Sequence, residues 1–129
     1  MADIVRPGAP AEGPLNAEAM PANFDLVIYK GDYVELFITV KDASGNAIDL
    51  TGSTPAAQLR SDYEDATAID FICTLTGTTG RVRVFLPSSI SASLETGDYI
   101  WDFQVTDAGD MTRTYLTGDV VVYDEVTKQ

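Results

Sequence analysis

The sequence predicts an all-β domain, an antiparallel sandwich of two sheets with an Ig-like arrangement. Three observations support this fold class. Apolar and polar residues alternate in most segments after residue 23, turn-forming residues separate those segments at intervals of roughly 8–12 residues, and a single segment carries helix signals. The 129 residues, 45% of them hydrophobic, suit one core and leave no room for a second folded unit of ordinary size.

Residues 1–23 differ from the rest, and we expect them to form an extended or flexible N-terminal arm before a sandwich domain over 24–129. Prolines at close intervals block a helix and a central strand. Four of the six prolines lie in this arm: Pro7, Pro10, Pro14 and Pro21. Apolar side chains in the arm are candidates for docking on a neighbouring protein, namely Ile4, Val5, Leu15 and Met20. The alternative is a leader without a binding role.

The domain begins with a short apolar run, and residues 33–41 then alternate clearly. A weaker strand is predicted over 54–60, where Pro55 suits a strand that starts at a sheet edge. Residues 67–75 and 81–86 alternate again. We expect the inward face of these segments to include Val34, Leu36, Ile38, Phe71 and Val84.

A short helix is predicted near 88–95, because Pro87 suits a first helical turn and Gly97 suits a C-terminal cap. Residues 99–105 alternate without interruption, which indicates a central core strand. Two further strands, 112–116 and 118–127, bring the total to about seven or eight. The core residues expected from this half are Tyr99, Trp101, Phe103, Val120 and Val122.

The formal charge of −12 argues against nucleic acid and anionic membranes as partners, because both bind clustered lysine and arginine. The chain has no histidine, which removes the commonest general base and the usual partner of a Ser or Cys nucleophile. We therefore expect no enzyme, no cofactor and no metal. The acidic turns at 62–65 and 107–110 do not match a calcium-binding loop.

Cys73 is the one cysteine, so no disulfide can form within the chain, and its inward position suggests a small buried hydrophobe. The first residues lack the basic and apolar regions of a signal peptide, so we expect synthesis in the cytoplasm.

Three aromatic residues fall outside the apolar stripe of their segments: Phe37, Tyr63 and Phe85. Such side chains can seed a protein interface or stack on sugars, and we favour the interface. The alternative is that both faces of these strands are partly covered, as happens in a small sandwich.

A series of short motifs runs through residues 24–128 in a fixed order: Gly31-Asp32, Asp49-Leu50-Thr51-Gly52, Ala57-Gln58-Leu59-Arg60, Gly97-Asp98-Tyr99-Ile100-Trp101-Asp102 and Gly118-Asp119-Val120-Val121-Val122. The series resembles the small β-sandwich domains of tailed-bacteriophage virions, and is similar to the N-terminal domain of the upper baseplate protein of lactococcal phages. The resemblance implies a structural role, with no catalytic residues to carry over. The arm lies outside the pattern.

We therefore expect a non-enzymatic structural subunit of a virion, located in the tail, baseplate, neck or capsid surface. Its partners would be other virion structural proteins, in a homo-oligomer or symmetric array, and the arm would become ordered on assembly. Two alternatives remain open. One is a capsid decoration (cement) protein, and the other is a carbohydrate-binding module for host attachment.

Overall fold

The computed structural model describes residues 2–5, 22–42, 44–62, 64–65, 67–76 and 80–126. Two sheets pack face to face around one apolar core, which confirms the predicted β-sandwich. The elements in chain order are β1 (Ala2–Val5), β2 (Ala22–Asn23), β3 (Leu26–Tyr29), β4 (Val34–Val40), β5 (Thr54–Arg60), β6 (Ile69–Asp70), β7 (Ile72–Thr76), β8 (Arg81–Leu86), α1 (Ser88–Ala92), β9 (Gly97–Thr106) and β10 (Thr112–Tyr123).

The first sheet has the strand order β1-β4-β8-β7, and every neighbouring pair in it is antiparallel. The second sheet has the order β2-β10-β9-β5-β6, and β3 also pairs with β10. Strands β2 and β3 run parallel to β10, a departure from the purely antiparallel arrangement that the sequence predicts.

The C-terminal part of the second sheet is one long strand, not the two that were predicted over 112–116 and 118–127. Strand β10 runs without a break through both segments, and its pairing with β9 shifts register between Thr114 and Leu116. This β-bulge lets a strand of 12 residues follow the twist of the sheet. Gly118 therefore lies inside a strand, where we expected a strand to begin.

The core between the sheets takes one side of each strand, as a period of two requires. It buries eight of the ten residues that the alternation pointed to, namely Leu36, Ile38, Phe71, Val84, Trp101, Phe103, Val120 and Val122. Val34 and Tyr99 lie at its margin, packed against it and only partly buried. The Tyr99 hydroxyl donates a hydrogen bond to the Glu95 carbonyl oxygen at 2.7 Å, which keeps the end of that side chain near the surface.

The helix is shorter than predicted and ends before residue 95. Ser93 is its C-cap, and Gly97 opens β9 with a φ of 138° instead of capping the helix. The buried Ser91 hydroxyl donates to the Asp32 carbonyl oxygen at 2.6 Å and accepts the Gly31 N–H at 3.1 Å, which ties the helix to the turn before β4. Within the described ranges, no helix is both long and apolar enough to cross a membrane.

Candidate protein interface on the first sheet

The outer face of the first sheet is the side turned away from the core, and it carries two of the three predicted interface aromatics. On β4 the residues between the buried positions are Glu35, Phe37 and Thr39, and on β8 they are Arg81, Arg83 and Phe85. The register places Phe37 opposite Arg83 and Glu35 opposite Phe85. Phe37 and Phe85 therefore share one face, as the alternation of both strands predicts.

Each of these two rings has an arginine above it. The Arg81 guanidinium lies 4.4 Å from the centre of the Phe37 ring, and the Arg83 guanidinium lies 4.2 Å from the centre of the Phe85 ring. Arg83 Nε also donates to Glu35 Oε2 at 2.7 Å. Each contact contributes only about 0.5–1 kcal/mol at an exposed site. Together they hold these flexible side chains in one layer, which lowers the cost of ordering them on binding.

The layer continues into exposed apolar side chains. The rings of Tyr33 and Phe85 have centroids 6.1 Å apart, and Ile72 is the register partner of Phe85 on β7. Tyr33 is 64% exposed and Ile72 is 52% exposed. We call this surface, made of Tyr33, Glu35, Phe37, Ile72, Arg81, Arg83 and Phe85, the arginine–aromatic patch. Tyrosine and arginine are enriched at protein interfaces and among the residues that contribute most to binding.

Strand β1 lies at the edge of the same sheet, beside the arginine–aromatic patch. It pairs with β4 from Ala2 opposite Val40 to Val5 opposite Phe37. Ile4 and Val5, two of the predicted docking residues of the arm, therefore belong to this sheet by register. The other predicted contact residues, Leu15, Met20 and Tyr63, lie outside the described residues.

The outer face of the second sheet carries a different feature, a shallow polar groove of about 250 Å³ between β5, β9 and β10. Its polar lining residues are Gln58, Arg60, Asp102, Gln104 and Thr117, and its apolar ones are Ala56, Ile100 and Trp101. Gln58 Nε2 donates to Asp70 Oδ1 at 2.7 Å, and Arg60 Nη2 donates to Gln58 Oε1 at 3.1 Å. The alternation of β5 and β9 predicts that these side chains point outward, but only the pairing of the two strands brings them together.

Asp102 is the carboxylate of this groove. Burial raises its pKa, against the opposing effects of the Gln104 hydrogen bond and of the Arg60 charge. The Gln104 bond is long, 3.5 Å from Nε2 to Asp102 Oδ2, so the carboxylate accepts little from it. Asp102 can accept a further hydrogen bond from a ligand hydroxyl or amide.

The acidic turns and the cysteine form no metal-binding cluster among the described residues. In these ranges no three or more Asp, Glu, Cys or His side chains lie close enough together to hold a metal ion. Cys73 is partly buried, and that burial raises the pKa of its thiol to about 11. The thiol is therefore protonated at neutral pH and is a poor nucleophile.

No family model matches the sequence, and a search of curated proteins gives no relative. Among solved structures the chain is similar to the GspB Siglec domain, with a TM-score of 0.50 and 17% identity over 96% of this chain. Other matches are the Lin-41 filamin domain (TM-score 0.46, 14% identity, 75% of this chain and 82% of that one) and a Listeria monocytogenes internalin-like protein (TM-score 0.41, 15% identity, 81% of this chain). The chain spans 58% of the GspB chain and 28% of the internalin-like chain.

Likeness at such low identity defines the fold class alone. The chain is an Ig-like β-sandwich, with its two sheets closed around one core and a short helix joining β8 of the first sheet to β9 of the second. This architecture hosts many unrelated functions, so the function depends on the surfaces that the sandwich carries.

Proposed function

We propose that this chain is a non-enzymatic structural subunit of a tailed-bacteriophage virion, in the tail, baseplate, neck or capsid surface. The ordered motif series and its resemblance to virion β-sandwich domains support the choice of particle. The observation that carries the structural role is the arginine–aromatic patch, which lies beside a sheet edge that residues of the N-terminal arm occupy.

The arginine–aromatic patch has the composition of an interface core and is already ordered before binding. Tyr33 and Ile72 leave apolar surface in water, whereas the stacked arginines and Glu35 hold one another in place. A partner that covers the apolar side chains therefore gains hydrophobic free energy and has few side chains left to order.

The charge distribution favours a second copy of the chain, or another acidic virion protein, as the partner. The whole chain has 20 acidic and only 8 basic residues, and two of the basic ones, Arg81 and Arg83, lie in the patch. A locally basic patch on an acidic protein attracts the acidic remainder of a neighbouring copy. Repeated contacts of this kind generate a symmetric array, which is the expected assembly.

A matched pair of double variants tests this role. Tyr33→Ser with Ile72→Ser removes the exposed apolar part of the patch, and Tyr29→Ser with Val27→Ser removes an equivalent pair from β3 on the other sheet. Tyr29 and Val27 are 51% and 57% exposed, so both variants should fold with the circular dichroism of the wild type. Each is expressed from the phage genome that encodes the chain, and its amount in purified particles is measured by quantitative mass spectrometry.

The patch variant should be at least about ten-fold depleted from particles, which corresponds to a loss of about 1.4 kcal/mol in binding, whereas the β3 variant should be incorporated normally. Normal incorporation of the patch variant would show that another surface makes the contacts. Particles that contain no copy of the wild-type chain would refute the virion role itself. A density map of the particle would separate a capsid decoration site from a tail or baseplate site.

The polar groove on the second sheet supports one alternative, a carbohydrate-binding module for host attachment. Planar carboxylate, amide and guanidinium groups bind the neighbouring hydroxyls of a sugar ring, and Asp102, Gln104 and Arg60 supply all three. A glycan array is the test. Binding that Asp102→Ala abolishes and the Tyr33→Ser, Ile72→Ser variant retains would favour this alternative, and an array without binding would leave it unsupported.

A further inference from the structure

Strand β1 is an edge strand of four residues, separated from the next described strand by the sixteen residues 6–21. Its backbone pairs with β4 along Phe37–Val40, next to the arginine–aromatic patch. We infer that this strand is exchanged between copies of the chain, so that residues 2–5 of one subunit complete the first sheet of its neighbour. The inference rests on the proposed function, because it requires subunits packed side by side.

The β4 edge is a site that must be covered. Strand β4 has the sequence Val-Glu-Leu-Phe-Ile-Thr-Val, which contains only one charged residue, and its other edge already pairs with β8. An apolar strand with free backbone N–H and C=O groups is prone to pair with any available strand. Residues 2–5 of the same chain and residues 2–5 of a second copy offer this edge the same backbone groups in the same register.

The connection is long enough for exchange. Sixteen residues span at most about 55 Å at 3.3–3.6 Å per residue, whereas a domain of about 100 residues is roughly 35 Å across. Residues 2–5 can therefore reach the β4 strand of an adjoining subunit while Ala22 stays paired with Leu116 in its own domain.

The balance between the two arrangements depends on concentration. For a connection of this length the effective concentration for pairing within one chain is of the order of millimolar. A dilute free subunit therefore keeps its own strand. In an array the neighbouring edge is present at a similar local concentration, and exchange then proceeds without any new type of contact, as in other domain swaps.

A disulfide trap detects exchange in the intact chain. All variants carry Cys73→Ser, so the introduced cysteines are the only ones. Asp3 stands opposite Thr39 in the register, a separation that suits a disulfide. One sample mixes the single variants Asp3→Cys and Thr39→Cys, which can link only between two chains. A control sample pairs Asp3→Cys with Thr74→Cys, on β7 at the opposite edge of the same sheet.

Peptide mass spectrometry after mild oxidation should show a linkage between residues 3 and 39 of different chains. At about 1 mM protein this linkage should be at least ten-fold more abundant than the linkage in the control mixture, and it should decline about ten-fold or more at 10 μM. The Asp3→Cys, Thr39→Cys double variant should close within one chain at 10 μM and should link partly between chains at about 1 mM.

The exchange would be overturned if the double variant closed within one chain while the mixture of single variants never formed more interchain linkage than the control mixture. A double variant that fails to close would overturn the register on which it depends. The virion role is judged separately from particle composition. Exchange in solution combined with particles lacking the chain would refute the proposed function and leave the exchange standing.

Discussion

Replacing Gly118 with alanine should destabilise the domain far more than a glycine-to-alanine change normally does inside a strand. The backbone of Phe24 crosses β10 at this position, and a Cβ on residue 118 would lie 2.1 Å from the Phe24 carbonyl oxygen and 2.6 Å from its carbonyl carbon. That carbonyl also accepts the Trp101 indole N–H at 2.7 Å, and the Phe24 N–H donates to the Thr117 carbonyl oxygen at 2.9 Å. An alanine must push Phe24 away and weaken both bonds.

The expected loss follows from these contacts. Two weakened hydrogen bonds cost about 0.5–1.5 kcal/mol each, and overpacking against backbone costs about 1–3 kcal/mol more. At about 3–6 °C per kcal/mol for a domain of this size, a total of roughly 2–6 kcal/mol lowers the melting temperature by about 6–36 °C. Differential scanning calorimetry measures the shift. Fluorescence of Trp101, the only tryptophan, should move to longer wavelength as its ring loses the Phe24 partner.

Gly109→Ala is the matched control for this experiment. Gly109 lies in an exposed turn, and a Cβ there would approach only the Asp107 side chain, at 3.4 Å. The control should melt within about 3 °C of the wild type. If Gly118→Ala melted within the same interval, the close approach of Phe24 to β10 would be wrong, and with it the account of how β2 and β3 join the second sheet.

Four further outcomes are expected, on three residues. Trp101→Ala should cost about 3–5 kcal/mol of folding free energy and abolish stable folding, because it empties a core site beside Phe71. Trp101→Phe, the control, should retain the fold. If Trp101→Ala melted within a few degrees of the wild type, the central position of β9 would be refuted. Burial raises the pKa of the Cys73 thiol to about 11, so this thiol should react with iodoacetamide at pH 8 roughly 100-fold more slowly than an ordinary cysteine thiol with a pKa of 9.0. Full reactivity in the folded protein would contradict the burial of Cys73. Between pH 9 and 11 the Cys73 thiol ionises in the unfolded chain but not in the folded one, so the stability that Cys73 contributes to the fold should fall as pH rises through this range. Urea titrations of the wild type and of Cys73→Ser measure this change. Burial raises the pKa of Asp102, which makes the charged form of its carboxyl group costly in the fold. Asp102→Asn should therefore match or exceed wild-type stability at pH 7, and this advantage should vanish below the ordinary carboxyl pKa. A clear loss of stability at pH 7 would indicate that the charged carboxylate is required.

The inward and outward faces of the strands could be predicted because a sheet with one buried side imposes a period of two on its sequence. This period is why Trp101 and Phe103 were expected in the core and Phe37 and Phe85 outside it. Residues at the margin of the core were harder to predict than those at its centre. Tyr99 follows the same period, but its hydroxyl needs a hydrogen-bond acceptor, and the acceptor it uses, the Glu95 carbonyl oxygen, lies at the surface. The side chain is therefore only partly buried.

Strand order could not be predicted from the same pattern, because alternation says which way a side chain points and not which strand lies beside it. The parallel pairing of β3 with β10 joins residues more than ninety positions apart, for example Leu26 with Val120. The polar groove of the second sheet depends on such pairing too, since Gln58 faces Asp102 only through the register of β5 and β9. Arg81 and Arg83 were readable as outward residues, but their stacking on the two rings needed the register of β4 and β8.

The second sheet is held by contacts of Phe24 within the domain, whereas the edge of the first sheet is closed by the four-residue strand β1. This difference bears on assembly. The close approach of Phe24 to β10, with its bonds to Trp101 and Thr117, anchors β2 and β3 to the second sheet. Strand β1 adds four register pairs to the edge of the first sheet, while β4 stays paired with β8 and stays buried on its inner side. Releasing β1 therefore breaks a few edge hydrogen bonds, each worth about 0.5–1.5 kcal/mol, while the pairing of β4 with β8 remains. In the exchange that we propose, the edge that residues 2–5 occupy opens and is closed by the strand of a neighbour, while β4 stays paired with β8.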